Sequence, residues 1–168
     1  MATKPDFTAP QWEKIVESPL LAGFAVSAAA PSGLIGTLLE SMASADALAA
    51  ARTDATANTL VRAVVDDLLT PERRMAARES VQRLIEGADL PEIKTRALAQ
   101  LQMTAGILDA SAPLDAAAFK GWLAEIAARV AAAATEGGVL GFGGEKISAA
   151  ERAALAELDA VLGRGSGP

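Results

Sequence analysis

The chain contains no cysteine and no histidine. Disulfide staples, thiolate nucleophiles, the usual zinc ligand sets and imidazole acid–base catalysis are therefore excluded by composition alone. Tyrosine is absent as well, and aromatic residues make up only 4% of the sequence. With few aromatic and β-branched side chains and many alanines, closely packed helices are expected rather than a sheet. Positive charge is scarce: 15 Lys and Arg stand against 21 Asp and Glu, a net charge of −6. Nucleic acid requires a basic stripe that releases counterions, so it is not an expected partner. The opening stretch MATKPDFTAPQWEK lacks the apolar run of a signal peptide. That, with the missing cysteines, points to a cytoplasmic protein.

What the chain does have is length and apolar content. Its 168 residues, 51% of them hydrophobic, suffice for one domain with a real core. We place that domain at residues 1–163 and read 164–168 as a disordered tail. No stretch alternates with the period of two that a half-buried strand requires. The expected fold is all-α, a single compact bundle of about seven helices.

Local signals place them. Thr8 and Gln11 form a capping box ahead of Trp12, Ile15 and Val16. Pro19, with no N–H and a ring that crowds the preceding turn, predicts a break there. A second segment, about 19–30, carries Leu20, Leu21, Phe24 and Ala28, and Pro31-Ser32-Gly33 ends it. A small-residue helix follows over about 34–52, then one holding Leu60, Val61, Val64, Val65, Leu68 and Leu69. Thr70-Pro71 opens a charged helix with Met75, Val81, Leu84 and Ile85 inward and Gly87 as its stop. Its Arg73, Arg74, Arg78 and Arg83 alternate with Glu72, Glu79 and Glu86, which reads as a solvated, ion-paired face. Pro91 opens a helix with Ile93, Ala97, Leu101, Thr104 and Leu108 at i, i+4 steps. Residues 115–135 are the cleanest amphipath, with Phe119, Trp122, Leu123, Ile126 and Val130 inward and Lys120, Glu125 and Arg129 outward. Ser148 and Glu151 cap a last helix with Leu155, Leu158, Val161 and Leu162.

The segment TEGGVLGFGGEKIS holds Gly137, Gly138, Gly141, Gly143 and Gly144. Gly138 and Gly143 have the spacing of a phosphate loop, but Gly144-Glu145 replace the lysine and hydroxyl that must follow. No strand precedes them, so a dinucleotide fingerprint fails too. The five glycines read as a structural turn, and no cofactor is expected. Ala28–Gly36 and Ala132–Gly141 share an order of alanine run, polar pair, glycine, aliphatics and glycine. The echo is either a duplicated helical hairpin or a consequence of Ala/Gly-rich composition. The uncharged run 18–39 has the length of a membrane span. Its prolines and glycines favour a buried hairpin, with membrane contact as the minor alternative.

Asp66-Asp67 and Glu151, Glu157 and Asp159 are the carboxylate groups to consider for metal. Adjacent helical positions diverge by about 100°, so these read as solvated faces, with no metal or catalytic residue assigned. The junction Gly143-Gly-Glu-Lys-Ile-Ser-Ala-Ala-Glu151, followed by Leu155 and Leu158, resembles the helix junction of the small all-helical TerB-like tellurite-resistance proteins. The resemblance, over 143–158, implies an all-helical fold. Where that family places a metal-binding acidic residue this chain has Gly143, so no site is carried over.

The reading is a non-catalytic helical binding or assembly module that self-associates or takes a protein partner. A TerB-like stress-response protein with metal or membrane-surface contact and a carboxylate-only enzyme are the alternatives. Trp122, Ile126, Ala128, Ala132 and Phe24 are the interface candidates, because Ala127, Ala128, Ala131, Ala132 and Ala133 leave the flanks of helix 115–135 nearly bald.

Overall fold

The computed structural model describes residues 1–29, 58–136 and 147–164, and every regular element among them is a helix. A 3-10 turn, Lys4–Asp6, precedes six α-helices: α1 Ala9–Ser27, α2 Thr59–Leu69, α3 Pro71–Ile85, α4 Leu90–Ser111, α5 Pro113–Glu136 and α6 Ala149–Val161. Six rather than about seven is the count among these residues. The expected helix over 34–52 and the five-glycine turn lie outside the described residues, as do the further reaches of both echoing segments.

Part of the difference has a cause. Pro19 does not break the first helix; α1 runs straight through it. Proline removes one i→i−4 bond and so orphans the Ile15 carbonyl. The Ser18 hydroxyl, buried beside it, donates to that carbonyl at 2.7 Å. The lost bond is replaced within the helix, and packing on all sides outweighs the local preference.

That packing is the organising fact of the fold. Helix α1 touches all five others, and those five are joined in a ring of contacts around it, in which α2 meets α3 and α5, α3 meets α4, and α4, α5 and α6 all meet one another. A helix so enclosed must be apolar all round. From Ser18 to Ala28 every residue of α1 and its cap is buried. The uncharged run is thus, over its first arm, the core of the protein, and among the described residues no helix is long and apolar enough to cross a membrane.

The helix ends follow from the sequence. Thr8 with Gln11 and Ser148 with Glu151 form the expected reciprocal caps, each side chain accepting the other end's backbone N–H. Asp89 and Glu92 form a third at α4 that the sequence reading passed over. Thr70 stands at the N-cap of α3, but its hydroxyl turns back to the Asp66 carbonyl at 3.4 Å instead of capping. Gly87 closes α3 at φ +69°, a conformation that side-chain-bearing residues resist.

Two inward–outward assignments are reversed. Met75, expected inside, is 61% exposed, because Ala77 and Val81 alone form the buried line of α3. Lys120, expected outside, is 7% exposed, with its Nζ 2.7 Å from both carboxylate oxygens of Asp109 on α4. A lysine stem can lie along apolar surface while its ammonium keeps a partner at the rim. Beside it the end of α6 folds back: Arg164 bonds Asp159 and its guanidinium covers Gly121, where a Cβ would come within 3.1 Å. Arg164 therefore belongs to the packed body.

Candidate interaction surface

The polar groups of the described residues serve first to lock the chain together. Asp67, expected on a solvated face, accepts from the Trp12 indole at 2.7 Å and from Lys4 at 3.0 Å. Burial alone would raise its pKa, but the Trp12 and Lys4 hydrogen bonds and the Lys4 and Arg73 charges outweigh it, holding the carboxyl below its ordinary range. Lys4 also stands over the Trp12 ring, 5.9 Å from its centre, and Phe7 packs against the same ring. The 3-10 turn is thereby tied to α1 and α2.

Asp115, in the first turn of α5, makes a second lock that sequence reading missed. It is 4% exposed and accepts from the Ala2 amide at 2.6 Å and the Asn58 side chain at 2.7 Å, with the Met1 amine 3.7 Å away. Its burial pushes the pKa up; the Asn58 and Ala2 hydrogen bonds and the neighbouring amine reverse that and hold it low. Asn58 works with both ends of its amide, since its oxygen caps α2 by accepting from Leu60 at 2.8 Å. An aspartate at this position reads in sequence only as a partner for the helix dipole. Nothing local announces an amide partner more than a hundred positions away.

The remaining carboxylates are dispersed. Glu151 is buried in its capping box, Glu157 pairs with Lys94 at 2.9 Å and Asp159 with Arg164 at 3.2 Å. Among the described residues no three metal-ligating side chains converge. Among the described residues, Glu17 on α1 is the one carboxyl shifted the other way. Partial burial raises its pKa, and the Glu13 charge adds to that. The Ser80 hydroxyl and the Lys14 and Arg83 charges counter it without cancelling it.

The interface candidates separate into three groups. Phe24 is 1% exposed, enclosed by the ring, and presents no surface. Trp122 and Ile126 are half-buried along one edge of α5, with the indole edge-on to Phe119 at 5.3 Å. Ala128 and Ala132 are exposed, whereas Ala127 and Ala131, grouped with them in sequence, are fully buried. Phe119, Leu123 and Val130 are covered by the chain itself. The outward side of α5 is left as Leu114, Ala117, Ala118, Glu125, Ala128, Arg129 and Ala132, with a Glu125–Arg129 ion pair across it.

Helix α4 contributes a face that the sequence reading did not single out. Ala99, Met103, Gly106 and Ala110 recur at steps of four, three and four, and all are exposed. From Ala97 to Leu108 the helix has no charged residue. Gly106 stands in mid-helix with nothing within 4 Å of where a Cβ would lie. A glycine there costs about 1 kcal/mol of helix stability relative to alanine, and no contact among the described residues requires it.

Comparison with known protein families, curated proteins and solved structures gives no match to this chain.

Proposed function

We propose that this chain is a non-catalytic helical binding module that self-associates through the outward faces of α4 and α5. The observation that carries this reading is Gly106, an exposed mid-helix glycine in an uncharged stripe, flanked one turn away by the 48% exposed Met103. A two-fold axis between these positions sets Met103 of each copy over Gly106 of the other and Ala99 opposite Ala110. Symmetric pairing requires such self-complementarity, with residue i meeting j and j meeting i. The exposed alanines of α5, Ala117, Ala118 and Ala128, offer a second low-relief face.

Sedimentation velocity of the unmodified chain at roughly 50 micromolar tests the proposal, with association expected to give a dissociation constant of that order or tighter. Gly106→Ala separates this role from a purely structural one. Under the proposal it raises the thermal stability of the single chain, by about 1 kcal/mol from helix propensity, while weakening association. Ala128→Glu, on an exposed site, leaves helicity intact and weakens association if α5 takes part. A monomeric parent chain overturns the proposal.

A further inference from the structure

The arginines of α3 are not the ion-paired face that their alternation with glutamates predicts. Among the described residues, Arg73, Arg74, Arg78 and Arg83 make no hydrogen bond and no ion pair. Among the same described residues the lysines and arginines outside α3 are engaged, from Lys4 with Asp67 to Arg164 with Asp159. Among the described residues, unpaired cations are thus concentrated on one helix, in a chain whose net charge is −6.

Helical geometry sorts the four. Arg73 lies on one flank of the buried Ala77–Val81 line and acts through space on Asp67 of α2, while Arg83 acts on Glu17 of α1. Arg74 and Arg78 lie on the opposite flank with no charge partner, four positions apart and half-buried. At that spacing their Cβ atoms are about 6 Å apart, one above the other. Met75, 61% exposed, and the exposed Gln82 stand on either side of Arg78 at steps of three and four. Beyond them Glu72, Glu79 and Glu86, all exposed, form an acidic ridge with a seven-residue repeat.

We propose that the Arg74–Met75–Arg78 flank of α3 docks an acidic helix of a partner protein. Two carboxylates one turn apart on that helix meet the two guanidinium groups, and an apolar side chain between them meets Met75. Arginine and methionine are enriched in protein interfaces, and the arginine fork suits a carboxylate held at fixed geometry. The acidic ridge selects against a continuous polyanion. A nucleic-acid backbone or an anionic membrane would meet the glutamates as well as the arginines, whereas a helix with discrete carboxylates need not.

The test uses the full chain and a fluorescein-labelled synthetic helical peptide bearing Glu pairs at i, i+4 with leucine between them, read by anisotropy. Arg74→Gln/Arg78→Gln is expected to weaken binding about tenfold, and raising salt is expected to weaken binding to the parent chain. Glu72→Gln/Glu79→Gln alters only exposed side chains and is expected to tighten binding two- to threefold, roughly the effect of removing nearby like charge. Arg152→Gln, on an exposed position of α6, is expected to leave peptide binding unchanged. Equal binding by the parent and Arg74→Gln/Arg78→Gln overturns the proposal. So does tighter binding of a single-stranded oligonucleotide or of phosphatidylserine-containing vesicles than of the peptide. If Arg74→Gln/Arg78→Gln loses helicity, the glutamate variant decides, and a lack of tightening there overturns the proposal. A second copy as the occupant appears as loss of self-association in Arg74→Gln/Arg78→Gln, and it too overturns the acidic-partner assignment.

Discussion

Helices α1 and α3 are neighbours of similar length built to opposite rules. The second half of α1 carries no charge and is buried on every side; α3 fully buries only Ala77 and Val81, rests Leu84 and Ile85 half-buried against the core and turns its remaining side outward. One is the hub of the ring and the other a segment of its rim. The difference teaches where stability resides in this molecule and where substitutions are tolerated. Removing atoms from α1 opens space that the enclosing helices cannot fill, while changes on α3 alter charge and contact at little cost to the fold.

The largest expected effect breaks the hub. Phe24→Ala should cost about 3–5 kcal/mol, since a fully buried ring leaves a cavity in a tightly enclosed helix. Met75→Ala, on the rim, should stay within about 0.5 kcal/mol. Urea unfolding followed by far-UV circular dichroism measures both, and equal costs would dissolve the contrast between the helices.

Asp115 sharpens the comparison at the edge of the ring. Asp115→Ala strands the Ala2 amide and the Asn58 side chain and should cost about 1–3 kcal/mol, read by the same denaturation. The folded pKa lies below the ordinary aspartate value of about 3.9. Its contribution is therefore present above that value and is lost as pH falls through the folded pKa. Asp115→Asn should flatten the loss of stability on acidification in that window.

Glu17 sits between hub and rim, and its effect should be smallest and of opposite sign. Its folded pKa is raised, so the protonated form is favoured in the folded state. Its contribution is present below the ordinary glutamate value of about 4.3 and is lost as pH rises through the folded pKa. Glu17→Gln should stabilise the chain at neutral pH by less than about 1 kcal/mol and leave its stability at pH 4 unchanged, since the group is only partly screened from water. Thermal melts across pH 4–8 test the sign.

Much of this architecture could be read from residue order. The caps at Thr8 and Ser148, the opening of α3 at Pro71 and its close at Gly87 are backbone hydrogen bonds and torsions decided within a few residues. The all-helical class follows from alanine content and the absence of period-two alternation. The exposure of the interface candidates was legible only in part, because alanine spacing names a face without naming its neighbours. Ala127 and Ala131 turned out to belong to the core, while Ala128 and Ala132 face outward.

What only the tertiary structure decided depends on atoms far away in the chain. Pro19 is carried inside a helix because Ser18 replaces its missing bond and five helices press on it. Lys120 turns inward because Asp109 waits on α4, and Asp67 and Asp115 become locks because Trp12, Lys4, Ala2 and Asn58 arrive beside them. Met75 turns outward because the ring needs only two residues of α3. A local hydrogen bond costs little chain entropy and is written in adjacent residues; a long-range one exists only once packing has brought its partners together.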